Sequence, residues 1–155
     1  MLVHASCVAI DGKAVLLRGP SGSGKSDLSL RLIDGGAALV ADDQVLIETV
    51  ERETGSRDLM ASAPAALAGL LEVRGIGIVG CDSLASAPVR LVIDLDAAAV
   101  ERMPTGDTCV LLGISLPRIV LDPFEPSAAA KVRTALRHME SCGVARRRAP
   151  EDGGY

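Results

Sequence analysis

The chain has 155 residues, of which 48% are apolar, a formal net charge of -4, one Phe, one Tyr and no Trp. That length suits one domain with an aliphatic core, while the acidic balance and the scarcity of stacking side chains argue against a nucleic-acid partner. No run approaches 18 apolar residues, and no basic segment leads into an apolar stretch with a cleavage site, so a soluble cytoplasmic protein without a membrane partner is expected.

In chain order, "LVHASCVAI" and "KAVLLRG" read as strands flanking the hairpin signal "DG". "GPSGSGKSD" follows, with the spacing Gly19-x-x-x-x-Gly24-Lys25-Ser26. A loop that wraps an anion needs inward-pointing amides and close backbone approach, which glycine permits. The helix expected over "SDLSLRLIDGG" would add the positive end of its dipole. In that reading Gly19, Pro20, Ser21, Gly22, Ser23 and Gly24 cradle a nucleoside triphosphate. Lys25 faces the β- and γ-phosphates, and Ser26 offers a hydroxyl to magnesium. The plainer alternative is a flexible Gly/Ser turn before a helix, and strand–loop–helix context favours the phosphate loop.

"AALVADD" then reads as a short strand ending in two acids, and "QVLIETV" as another strand running into the charged loop "ERETGSRD". "LMASAPAALAG" is open between a strand end and a helical turn. "LLEVRGIGIVG" reads as a strand broken at Gly75, Gly77 and Gly80, with Glu72 and Arg74 on one face. "VRLVIDLD" is the clearest buried strand, "ERMPTGDT" a polar connector, and "CVLLGISLPRIVLD" two short strands. "SAAAKVRTALRHMESCG" reads as a helix with Ala129, Val132, Leu136 and Met139 on one face, Ser127 as N-cap and Gly143 as C-cap. "RRRAPEDGGY" reads as a loose tail, the three arginines being solvated by default. Cys7, Cys81, Cys109 and Cys142 form no CxxC pair and have two histidines beside them, a pattern of single reduced thiols rather than a zinc site. Strands outnumber helices, so the fold class is strand-rich α/β.

Phosphoryl transfer needs carboxylates near magnesium and a base for the accepting hydroxyl. Two pairs qualify by position, Asp42 with Asp43 and Asp94 with Asp96, and strand periodicity leaves the choice open. Two close carboxylates would raise one pKa and make a usable base. Glu72 would suit a metal and Arg74 a transferring charge, or the two form a surface ion pair.

The segment "VHASCVAIDGKAVLLRGPSGSGKSDLSLRLIDGGAALVADD" together with "LLEVRGIGIVG" resembles the catalytic domain of the HPr kinase/phosphorylase family. The resemblance covers roughly residues 2–142. It implies a P-loop kinase domain of the HPr kinase and phosphoenolpyruvate-carboxykinase-like type over residues 1–145, with 146–155 as a flexible tail. It implies ATP and Mg²⁺ as cofactors, and an HPr-like phosphocarrier of the sugar phosphotransferase system, phosphorylated on serine, as partner. Homo-oligomeric assembly is also implied. By resemblance His4 belongs to the active site, Lys25 is catalytic, and Ser26 and Glu72 hold magnesium. Asp43, neighbour of Asp42, accepts the proton in the kinase direction, and Arg74 lends polar support. The chain begins almost at His4, as expected of a short form lacking the family's N-terminal domain. Where the family carries a basic P-G-R-N stretch linked to phosphorylase activity, this chain reads "LDPFEPSA". The connector expected to carry a catalytic arginine offers only Arg102. A kinase with weak or absent phosphorylase activity is therefore expected, against the alternatives of a small-molecule kinase or a nucleotide-sensing module with little turnover.

Overall fold

The computed structural model describes residues 1–104 and 106–146. The first strand, β1 (Leu2–Ile10), turns at Asp11 and Gly12 into β2 (Lys13–Arg18). Both turn residues have positive φ, 51° and 76°, as the tight hairpin expected from "DG" requires. Helix α1 (Lys25–Asp34) ends at Gly35 and Gly36. Then come β3 (Ala38–Ala41), β4 (Gln44–Glu51), β5 (Arg57–Ser62), and a single 3₁₀ turn at Ala65–Leu67. The two readings left open for "LMASAPAALAG" are thus both realised, in sequence. The stretch expected as one broken strand reverses direction instead. It forms a separate hairpin of β6 (Leu70–Val73) and β7 (Gly77–Gly80). Arg74 consequently lies in the turn, not on a strand beside Glu72.

The long strand β8 (Ser86–Leu95) is followed by the hairpin of β9 (Asp107–Leu111) and β10 (Ile114–Leu121), and the described chain closes with α2 (Ala128–Arg146). The carbonyl of Ser127 accepts from the Lys131 amide, in keeping with a start at Ser127. Gly143 does not end the helix, which runs through it to Arg146. A glycine inside a helix costs stability but supplies no stop by itself. The rest of the expected tail lies outside the described residues.

Strands β1 and β8 each serve two sheets. The start of β1 pairs with β4 and its remainder with β2, while β8 pairs first with β5 and then with β2 and β10. The space between the sheets is filled by small side chains, among them Ala5, Cys7, Ala9, Ala14, Ala61 and Ala87, interleaved with aliphatic ones such as Leu16, Ile47, Leu59 and Val92. That filling lets the sheets close without aromatic residues. The outer face packs Val8, Val15, Leu17, Leu91 and Ile93 against Leu28 and Leu32 of α1 and Ala128, Val132 and Leu136 of α2. A register shift where Ala14 opposes Val89 but Val15 opposes Leu91 leaves Arg90 unpaired. This bulge reverses the in-out alternation of β8. Ala87 and Val89 face inward before it, whereas Leu91 and Ile93 face the helices after it. Strands β2, β8 and β10 run parallel, so their carboxyl ends, at Arg18, Leu95 and Leu121, open on one rim. In open α/β sheets that rim is where ligands bind.

Candidate active site

The loop from β2 to α1 occupies this rim. Its conformation depends on glycine at defined places. Gly22 and Gly24 have φ of 80° and 96°. A Cβ at Gly19 would fall 2.5 Å from Ser23 Oγ. Ser23 Oγ is itself buried without a hydrogen-bond partner, an orphaned hydroxyl inside the loop. Gly24 caps α1 with no side chain, which leaves the helix's first amides to be satisfied from outside. The Lys25 ammonium is buried and donates to the carbonyls of Gly19, at 2.6 Å, and Pro20, at 2.9 Å. Its partners among the described residues are neutral, so its charge is available to an anion in the loop.

Ser26 donates to Asp42 Oδ1 at 2.8 Å. The same oxygen accepts from Ser6 Oγ at 2.9 Å, and Asp42 Oδ2 accepts from the Glu72 amide at 3.1 Å. Asp42 therefore ties together the start of α1, strand β1 and the β6–β7 hairpin. Its neighbour Asp43 has a left-handed backbone, φ 66°. That kink breaks the alternation expected of adjacent strand residues. While Asp42 is buried against Ser26, the exposed carboxylate of Asp43 accepts from His4 Nε2 at 2.7 Å. Ser6 anchors the corner a second time by accepting from the Asp43 amide at 3.5 Å.

The structure thus gathers His4, Lys25, Ser26, Asp42, Asp43 and the main chain of Glu72. Glu72 is exposed, as is Arg74 in the hairpin turn beyond it. Ser6 was not singled out from sequence. It lies two residues from His4, on the same strand face, and the period of two carries the signal.

The other acid pair is differently employed. Asp94 accepts from Arg18 Nε at 2.8 Å and Arg18 Nη2 at 3.0 Å, and from Arg118 Nε at 2.5 Å. Arg118 also reaches Asp107 at 2.9 Å. Burial alone would raise the Asp94 pKa, but the two guanidiniums hold it below the usual carboxylate range. A carboxylate so held is a poor proton acceptor. Asp96 accepts from the Ala98 amide and caps the 3₁₀ turn at Ala97–Ala99. Arg18, Asp94, Asp96 and Arg118 line a cavity of about 300 Å³ beside Gly19 and Pro20.

The HPr Serine kinase C-terminal domain matches residues 1–121. An HPr kinase/phosphorylase of Caldicellulosiruptor bescii is 38% identical over 136 residues, covering 79% of this chain and 42% of that protein. Another, from Exiguobacterium sp., is 46% identical over 101 residues, covering 61% and 31%. The chain accordingly spans about two fifths of the length of the first of these relatives. The solved structure of the Hpr(Ser) kinase/phosphatase from Coxiella burnetii superposes with a TM-score of 0.77 at 27% identity, over 97% of this chain and 99% of that one. In sequence as in backbone, from β1 to the end of β10, this chain belongs to the HPr serine kinase C-terminal domain family.

Proposed function

We propose that the domain is an ATP- and Mg²⁺-dependent kinase of the P-loop type, acting on a serine of HPr or a related phosphocarrier. The observation that carries this reading is the Asp42 carboxylate. It binds the phosphate-loop serine, while the next residue presents a second carboxylate to the outside. A loop that holds phosphates and an acid that receives a proton are the two parts phosphoryl transfer requires.

The donor set suits magnesium. Ser26 and Glu72 offer hard oxygen ligands, and magnesium characteristically takes few protein ligands beside phosphate oxygens and water. Among the described residues no group of three or more His, Cys, Asp or Glu stands ready to bind a metal unaided, which fits an ion that arrives with the nucleotide. Ser26 and Glu72 would hold it, and when bound it neutralises charge on the phosphates. Lys25 and the loop amides hold the β- and γ-phosphates. His4 orients Asp43, which takes the proton from the incoming serine hydroxyl as that oxygen attacks the γ-phosphorus. The products are phosphoserine and ADP, and the rate gain comes from positioning and charge stabilisation.

The test is incubation with labelled ATP, Mg²⁺ and the HPr-like carriers of the same cell, followed by identification of phosphoserine. Label on a metabolite and none on a carrier would replace this reading with a small-molecule kinase. Tight ATP binding without transfer to any acceptor would replace it with a nucleotide-sensing module.

A further inference from the structure

The one phenylalanine of the chain stands on the surface. Phe124 is 68% exposed, in the segment joining β10 to α2. An exposed aromatic ring forgoes the burial that usually stabilises it, and three features make this one more than a stray side chain. The first is place. A Cβ at Gly24 would lie 3.4 Å from Phe124 Cε1 and 3.1 Å from Pro123 Cγ, so the ring edge flanks the last glycine of the phosphate loop. The second is rigidity. Arg31 of α1 donates to the carbonyls on both sides of the residue, those of Pro123 and Glu125. The Phe124 amide donates to Asp122 Oδ1 at 3.0 Å, and Glu125 pairs with Lys131. The main chain is clamped while the ring is left bare.

The third feature is the lack of a competing platform. The cavity at the opposite end of the loop is lined by Arg18, Asp94, Asp96 and Arg118, charged groups that suit polar ligand atoms. Phe124 is the only Phe, Tyr or Trp among the described residues. It also lies beyond residue 121, where the family match ends.

We propose that the Phe124 ring is the stacking platform for the base of the nucleotide whose phosphates the Gly19–Ser26 loop holds. The proposal rests on the phosphate-loop reading above. The ring offers a π-face and no hydrogen-bonding edge, so it recognises any planar base without telling purines apart. ATP and GTP bind alike.

The experiment is calorimetric titration of the whole chain with Mg²⁺ and ATP, GTP or inorganic tripolyphosphate. Phe124→Ala should weaken ATP and GTP about tenfold, within the range typical of base–aromatic stacking, and leave tripolyphosphate unchanged. Phe124→Leu keeps apolar bulk without the π-system and should lose nearly as much. Phe124→Trp should restore binding. Since the chain has no other tryptophan, its emission reports directly, quenched by ATP but not by tripolyphosphate. The inference is overturned if Phe124→Ala binds ATP like the unaltered chain, or if ATP and tripolyphosphate weaken together. Equal quenching by both ligands would overturn it as well. If the unaltered chain binds tripolyphosphate and ATP equally well, stacking fails while the phosphate loop stands; if it binds neither, both readings fail.

Discussion

Asp43 is the one non-glycine residue with positive φ among the described residues that lies outside a tight hairpin turn; Asp11 and Leu112 are the others. Backbone strain of this kind is retained where the surroundings fix it, and it concentrates at functional positions. Asparagine tolerates the same conformation, so Asp43→Asn should keep the fold and ATP affinity while cutting transfer about 100-fold or more, the range for loss of a general base. Parallel ATP titration and carrier phosphorylation assays check both halves. Wild-type transfer by this variant would remove Asp43 from the proposed chemistry. Lys25→Ala should abolish transfer and weaken ATP more than tenfold, because it deletes the charge at the loop's centre. Unchanged affinity would sink the phosphate loop itself. Much of this was legible in the sequence, since glycine spacing and the adjacent lysine and serine report directly on backbone freedom and charge. What strand periodicity could not decide was which acid pair takes part. What the fold adds is placement: a left-handed residue at one corner sets Asp42 and Asp43 beside Ser26 and His4, and two arginines converge on Asp94 from β2 and β10. Neither is visible along a single strand.

At the scale of elements, the β1–β2 hairpin was readable from "DG" and the two strands β9 and β10 from the apolar runs on either side of Gly113, whereas the β6–β7 hairpin was not. "DG" marked the β1–β2 turn because two positive-φ residues are needed there. "RGIGIVG" suggested interruption without saying that the chain turns back to make β6 and β7. Gly143 lies inside α2 and not at its end, since an internal glycine is a penalty and not a terminus. The parallel rim was concealed for a different reason. β2, β8 and β10 are distant in sequence, and their alignment is locked by side chains that meet only in the fold. The lock is Asp94 with Arg18 and Arg118, and it predicts a pH dependence. The pKa of Asp94 is lowered in the folded state, so its stabilisation is present above the unfolded carboxylate pKa. It is lost as pH falls through the lower folded value. Asp58 is placed likewise. Burial raises its pKa, Arg90 and Arg52 outweigh that, and the result is again lowered. Asp94→Asn should cost about 1–3 kcal/mol at neutral pH by leaving two half-buried guanidiniums short of a charged partner. Urea melts at pH 7, 5 and 3 should show the gap to the unaltered chain narrowing only toward pH 3. A gap independent of pH would mean that the ion network contributes nothing through charge.

For the molecule as a whole, the distribution of cations bears on the direction of the proposed catalysis. Its relatives carry the names kinase/phosphorylase and kinase/phosphatase, and removal of phosphate from phosphoserine by inorganic phosphate brings two anions into one confined space. Such a site needs positive charge that is not already cancelled. Around the rim Arg18, Arg118 and Arg31 are committed, while Arg74 of the β6–β7 turn is exposed. Arg18 and Arg118 pair with Asp94, and Arg118 also with Asp107. Arg31 is held by Asp27 and the carbonyls flanking Phe124. The loop after β10 adds Asp122, whose carboxylate turns back on the Phe124 amide, and Glu125, paired with Lys131. Neither acid would welcome a free phosphate, and each holds a neighbouring donor. In the proposed forward reaction the effect would be smaller, because ATP would bring its phosphates to Lys25 and the loop amides as one tethered chain with its magnesium. The expected outcome is carrier phosphorylation with reverse turnover at least tenfold slower. The measurement gives the enzyme purified phosphoserine-carrier, Mg²⁺ and excess inorganic phosphate, and follows dephosphorylated carrier and pyrophosphate. Reverse turnover equal to the forward rate would mean that an arginine leaves its partner during the reaction. Arg118 is the first to examine, since its Asp107 partner is 71% exposed and the more easily surrendered of its two. Loss of reverse turnover alone in Arg118→Ala would then identify it.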